Sequence, residues 1–350
     1  MRWLIRIVLT VLVLTAIVWL GGETLLARRI TQVAAEHPEV QLGSVTPLRS
    51  PSAIGVRITD AQVNTPDGPV TAPWLVVSAA PTAPNDITMH LPPSMTIPLN
   101  GGVSVSSTDG KLSFGVAPLK RMSVSRLGFD ASNLAADYFN ASTLALDHQA
   151  LARDLHAGLS MTTLGFGAPA SATAAYNLTL GLSDVLPGAI ASVTGTSAPA
   201  ITDPLSADGS TTLWFSRPVS IEDLQSQTLP PLVGLKTDGV NVKIGPNSAR
   251  ILARVNADAQ GLASGQVFVD TADLSGFIDM AVAAGVIPPN MARLAQAAAT
   301  SMGSAPQTTG TDQWPPAPAQ GQVRLPLTMA DGQIRLGPLG LGPAPRMLNR

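Results

Sequence analysis

The chain has 350 residues, enough for one large or two ordinary domains with a substantial core. Charged residues make up 13% of it, against about 25% in an average soluble domain, and the formal net charge is −2. That balance offers no basic surplus to a nucleic-acid backbone, and the absence of cysteine excludes disulfides, thiolate metal sites and cysteine nucleophiles.

The first element in the chain is apolar. Trp3 to Leu20 reads WLIRIVLTVLVLTAIVWL, and after Arg6 fourteen residues pass without a charge before Gly21-Gly22. Carried on to Leu26 the segment has about 24 residues, near the ~20 that a helix needs to cross ~30 Å of hydrocarbon. A buried core helix and a cleaved signal peptide are the rival readings. All-round apolarity with basic flanks opposes the first, and Leu25, Leu26 and Ala27 make a poor cleavage site for the second. The expectation is an uncleaved anchor over residues 1–29. Arg2, Arg6 and the terminal amine precede the span, while Arg28 and Arg29, offset by Glu23, follow it. The balance favours a single-pass protein of the inner (cytoplasmic) membrane with its body in the periplasm.

Residues 30–302 form the expected body. The 31 glycines and 30 prolines of the whole chain favour short strands and turns. Ile54, Val56 and Ile58 alternate with polar or small residues, as do Leu112, Phe114 and Val116. The same period of two runs through Ala172, Ala174, Tyr176, Leu178, Leu180 and Leu182, through Val240, Val242 and Ile244, and through Val323, Leu325, Leu327 and Met329. In the last stretch Gln322, Arg324 and Thr328 point the other way. Only strands place such sets on one side. The fold class expected is mainly β (α+β), a large curved antiparallel sheet or β-sandwich-like body behind the transmembrane helix.

Asp-Gly recurs at 109–110, 208–209, 238–239 and 331–332, each beside an alternating stretch. Because Asp-Gly readily adopts positive φ, each is expected to mark a hairpin reversal. A calcium loop would need further oxygen ligands at alternate positions, and these are missing. A helical hairpin is expected near residues 273–302. Leu274, Phe277, Ile278, Ala281 and Val282 have helical spacing after the N-cap candidate Asp273, and a second helix is expected from Pro288-Pro289 to about Met302. Residues 303–320, rich in Pro, Gly and Thr, read as a linker, and residues 321–350 as C-terminal strands that rejoin the sheet.

Catalytic patterns are absent at the sequence level. GLASG from Gly261 to Gly265 misplaces the serine of a nucleophile elbow, and Gly110-Lys111 is followed by Leu112 where a phosphate loop needs Ser or Thr. The histidines are His37, His90, His148 and His156, of which Asp147-His148 and the Asp154, His156 pair come nearest to an acid/base or metal cluster. Their spacing does not bring them to one ion, so no catalytic, cofactor-binding or metal residue is assigned and no cofactor is expected.

The stretch from Thr328 to Arg346, TMADGQIRLGPLGLGPAPR, resembles the closing signature of an uncharacterised bacterial family, domain of unknown function 2125. Members of that family pair such an ending with a short N-terminal apolar anchor, the part Trp3 to Leu20 would play here. More loosely, the anchor, low charge and Asp-Gly-punctuated strands are similar to AsmA-like envelope proteins, although this chain is much shorter than the members that bridge two membranes. The looser similarity implies lipid handling. The body's share of the mean hydropathy of +0.26 agrees with an apolar sheet face turned to lipid or to an envelope protein partner. The expected function is therefore non-enzymatic lipid handling or envelope maintenance. The alternatives are an assembly factor that holds a protein partner, and an envelope hydrolase built on Asp147, His148, Asp154 or His156.

Overall fold

The structure is a computed structural model that describes residues 22–347, except 51, 100–101, 141–144, 198–200, 227, 284–288, 290–292, 295 and 298–313. The span expected from Trp3 to Leu20 lies outside the described residues, and so does most of the second helix expected after Pro288. Among the described residues no helix is long and apolar enough to cross a membrane. The chain is mainly β, with antiparallel pairing throughout the registers described.

Two compact units divide the chain. The first comprises residues up to 116, 127–150 and 193–195. Helix α1 (22–36) opens it. Strands β1 (Val40–Gln41) and β2 (Ser44–Pro47) both pair with β3 (Ile54–Thr65), which pairs with β4 (Gly68–Ala80). Strand β4 pairs in turn with β5 (Ala83–His90), and β5 and β6 (Ser94–Ile97) share the long partner β7 (Val103–Ala117). Parts of β8 (Ser123–Asn140) and β9 (Ala145–Thr162) complete the unit. The alternation read from the sequence is visible in β3, where Val56 and Ile58 are buried and Arg57 is exposed. The core beneath α1 joins Ala27 and Ile30 of the helix to Val56, Ile58, Leu75 and Val77 of the sheet.

The second unit comprises residues 117–126, 151–192 and 196 onward. From residue 151, β9 begins a meander in which each strand pairs with the next: β10 (Ala174–Val185), β11 (Leu205–Phe215), β12 (Leu232–Ile244), β13 (Asn247–Ala257), β14 (Ala263–Thr271), β15 (Val323–Ala330), β16 (Gln333–Leu336) and β17 (Leu339–Pro343). Helix α2 (Pro187–Thr194) follows β10, α3 (Ile221–Gln225) follows β11, and α4 (Leu274–Ala283) follows β14. Asp273 caps α4 by accepting the Gly276 N–H at 3.0 Å. Ile278, with Leu274, Phe277 and Val282, seals Ala249, Val269 and Leu325 on one side of the sheet.

Three differences from the sequence reading have clear physical causes. Of the four Asp-Gly pairs read as reversals, Asp331-Gly332 alone closes a hairpin (a fifth pair, Asp67-Gly68, joins β3 to β4), and the others lie inside β7, β11 and β12. Their positive φ bends a continuing strand instead of reversing it. Asp109 (φ 54°) sits where β7 changes partner from β6 to β5, and the registers of β11 and β12 slip next to Gly209 and Gly239. Arg324 does face away from Leu325, but that side is covered too. The guanidinium is buried and forms two 2.6 Å bonds to Asp270 and a third to the Pro316 carbonyl. Finally, the described end of the expected linker, 314–320, carries packed residues. The Trp314 ring meets Phe268 edge-on at 5.2 Å and lies 4.2 Å from the Arg254 guanidinium, contacts that a composition-based reading does not foresee.

Candidate functional site

Helix α1 follows the apolar N-terminal run with almost no break, and its inward stripe is Glu23, Ala27, Ile30 and Ala34. These positions advance by four, three and four residues, which keeps them on one helical face. The stripe is polar only at its start. Glu23 is fully buried, and among the described residues no cation bonds to its carboxylate. Its two oxygens accept the Gly55 N–H at 3.1 Å and the Arg49 N–H at 3.0 Å, so the carboxylate fastens the beginning of α1 to the turn that leads into β3. A side chain at Gly55 would collide with the Val77 carbonyl, 2.4 Å from the position of its Cβ, which explains glycine at this contact.

Farther along α1 the helix and sheet part, leaving a groove of about 310 Å3. Ile30, Val33, Ala34, Val40, Leu42 and Ile58 form its walls, which are almost wholly apolar. Arg29 and His37 complete its lining. The Arg29 guanidinium donates to Gln32 Oε1 at 3.0 Å, and the His37 ring lies 3.0 Å from the Glu39 carboxylate. The Glu39 backbone N–H, with His37 adding to it, holds that carboxyl below its ordinary range. The shape and apolar lining of such a groove suit a slender apolar ligand. At this volume, near the lower end of the ~300–1,000 Å3 usual for ligand pockets, it suits one hydrocarbon chain or part of it.

The second unit has a different character. A cleft of about 340 Å3 is lined mainly by polar side chains, among them Asp208, Asn241, Lys243 and Arg250. The strand registers align Asp208, Asn241, Arg250, Asp270 and Arg324 in one row across β11 to β15. Within that row the groups bond to one another or to backbone: Asn241 donates to Asp208, Arg250 to the Asp238 carbonyl, and Arg324 to Asp270. The row knits strands together.

Elsewhere in this unit Tyr176, buried in β10, donates its hydroxyl to the Val124 carbonyl and accepts the Val219 N–H, both at 3.0 Å. Desolvation pushes its phenol up from the usual value. Beside it, Asp223 receives two 2.6 Å bonds from Arg217 and closes a capping box with Ser220 at the start of α3. The Arg217 bonds hold the Asp223 carboxyl well below the usual range. These groups are saturated with protein partners, as structural polar networks are.

The side chains weighed from sequence as catalytic or metal candidates are scattered. His148 pairs with Asp137 at 2.7 Å across the β8–β9 hairpin, in the first unit and in an exposed position. Asp154 receives Arg153 at 3.3 Å, and His156 meets the Thr179 hydroxyl at 3.3 Å, both in the second unit. Asp147 neighbours His148 in β9, where adjacent side chains point to opposite faces. His90 ends β5, and His37 is the one histidine that lines the groove. Among the described residues no group of three or more His, Asp or Glu side chains is placed to hold a metal ion. The groove itself escaped the sequence reading because residues up to 29 were assigned to the anchor. The signal that reveals it is the stripe from Glu23 to Ala34.

No curated protein and no solved structure matches the chain significantly. A family model does match, over residues 23–345, from the buried carboxylate at the start of α1 to the residues just past β17. The chain therefore belongs to the family described as an uncharacterised protein conserved in bacteria, domain of unknown function 2125.

Proposed function

We propose that this protein is a non-enzymatic, membrane-anchored component of the cell envelope that handles lipid, taking a hydrocarbon chain into the groove between α1 and the β1–β3 strands. The apolar groove carries the reading. Its walls are hydrocarbon, Arg29 is among the residues that line it, and in the sequence a fourteen-residue uncharged run that suits an inner-membrane span precedes its helix. A lipid would place an acyl chain against Ile30, Val33, Leu42 and Ile58, and its phosphate would meet Arg29 in a charge-assisted contact. The body would then stand in the periplasm, where a curved sheet presents its apolar face to lipid. The hydrolase alternative draws no support from the histidines, which take separate local partners.

Mass spectrometry of the full chain, purified in a mild detergent, tests the reading. Phospholipid should co-purify with the wild-type protein and be depleted from Ala34→Phe, whose ring would fill the groove. Folded, monodisperse wild-type protein that neither carries nor takes up phospholipid would overturn it, as would an Ala34→Phe variant that carries the wild-type amount.

A further inference from the structure

The second unit bears an unusual set of exposed side chains at one end of its meander. Because the strands are antiparallel, the start of β8, the end of β9, the start of β10, the end of β11 and the start of β12 meet there. The connecting segments are 117–122, 163–173 and 216–231. Hydrogen bonds hold them together: the Val124 N–H donates to the Val219 carbonyl, the Thr173 N–H to the Phe215 carbonyl, and the Ser216 N–H to the Pro231 carbonyl.

From these segments large apolar side chains project outward. Leu119 is 101% exposed and Phe166 91%, and Met122 and Leu229 are also exposed. Single exposed apolar residues are common on protein surfaces, but several large ones gathered on adjoining segments mark an interaction surface. Nor are these tips loose. Trp214 Nε1 donates to the Leu164 carbonyl at 2.8 Å, two residues before Phe166, while Gly165 and Gly167 on either side of Phe166 both take positive φ. In the neighbouring segment Arg121 and Met122 are successive non-glycine residues with φ near 55°, a costly backbone conformation. Charge completes the surface. Lys120 and Arg121 stand among the tips, and neither 117–122 nor 163–173 contains a carboxylate. On 216–231, Asp223 is already neutralised by Arg217, which leaves Glu222 as the remaining acid.

We infer that this end of the second unit is a membrane-docking surface that inserts Leu119, Met122 and Phe166 among the headgroups and acyl chains of an anionic bilayer, with Lys120 and Arg121 paired to lipid phosphates. Rigid apolar tips beside cations suit an interface that is greasy below and negatively charged above. A protein groove that received the same tips would need an acidic rim, and it is the competing outcome of the test. The inference stands apart from the groove in the first unit, since no residue is shared.

The absence of cysteine allows single labels to report the contact in the full chain. Leu119→Cys, Phe166→Cys and, in the β12–β13 turn at the other end of the meander, Pro246→Cys would each carry an environment-sensitive fluorophore. The labelled chain would be held in lipid nanodiscs, with and without added vesicles of phosphatidylcholine and phosphatidylglycerol. Labels at 119 and 166 should shift to the blue and brighten in at least one of these settings, while 246 stays unchanged. Rising salt, which shortens the screening length from about 30 Å at 0.01 M to about 3 Å at 1 M, should reduce the response, as should Lys120→Glu with Arg121→Glu. No shift at either tip in both settings would overturn the inference, as would an equal shift at 246. A shift seen with native membrane vesicles but not with protein-free lipid would also overturn it, in favour of a protein partner. Lipid co-purification lost by Ala34→Phe while the tip labels still respond would separate the two sites.

Discussion

At the scale of the residue, two carboxylates test how the fold is held. Glu23 is buried against two backbone N–H donors, so Glu23→Gln sets an amide N–H2 against at least one of them and leaves that donor unsatisfied. The expected loss is about 1–3 kcal/mol in urea unfolding of the full chain, with faster amide exchange at Arg49 and Gly55. Unchanged exchange at those two amides would show that the carboxylate does not fasten α1. Asp223 makes a pH-dependent prediction. Its folded pKa is depressed, chiefly by the hydrogen bonds from Arg217, so the unfolded chain takes up the proton more readily. Its contribution is therefore complete above the ordinary carboxylate range and declines as pH falls toward the folded value. Asp223→Asn should cost about 1–2 kcal/mol at neutral pH, a modest figure because Arg217 is half exposed to solvent. The gap between wild type and variant should shrink below about pH 4. A gap that stays constant from pH 7 to pH 3 would remove the ion pair as its source.

At the scale of the element, strands and the α4 helix were legible because their patterns are local. Alternation marks β3, β10, β12 and β15, and a 3.6-residue stripe after Asp273 marks α4. Strand length was not legible, since positive φ at Asp-Gly serves a bulge as well as a hairpin. Only the partner strands decide between them, as β5 and β6 do for β7. Short α3 escaped notice because five residues are too few for a periodic signal, although Ser220 and Asp223 spell a capping pair. The buried face of Arg324 was hidden because its partner Asp270 is 54 residues away. Close approach between strands gives a direct test. At Gly265, with φ at 150°, an added Cβ would stand 2.1 Å from the Arg254 carbonyl oxygen, whereas at Gly340 nothing lies within 4 Å. Gly265→Ala should cost about 2–4 kcal/mol and Gly340→Ala less than about 0.5 kcal/mol in the same unfolding assay. Similar costs at the two sites would mean that close strand approach at Gly265 is not what requires glycine.

At the scale of the whole molecule, composition and the groove bear on one proposal. Low charge and the apolar N-terminal run raised the expectation of an envelope protein from sequence. The groove was not legible, because the same apolar residues that suit a membrane span also suit a helix laid on a sheet. The boundary between the two uses of α1 falls inside one continuous stretch of sequence. Glu23 marks that boundary: a carboxylate bonded to the backbone of the sheet belongs to the folded body. The proposed lipid role therefore depends on Ile30, Val33, Ala34, Leu42 and Ile58 more than on the anchor. Photo-crosslinking with a phospholipid that carries a photoreactive acyl chain addresses those residues individually. Peptide mapping of the full chain after illumination should place most adducts on 30–42 and around Ile58, and Ala34→Phe should abolish them. Adducts confined to the N-terminal apolar run, with none on 30–42 or 58, would contradict the assignment of the groove to lipid.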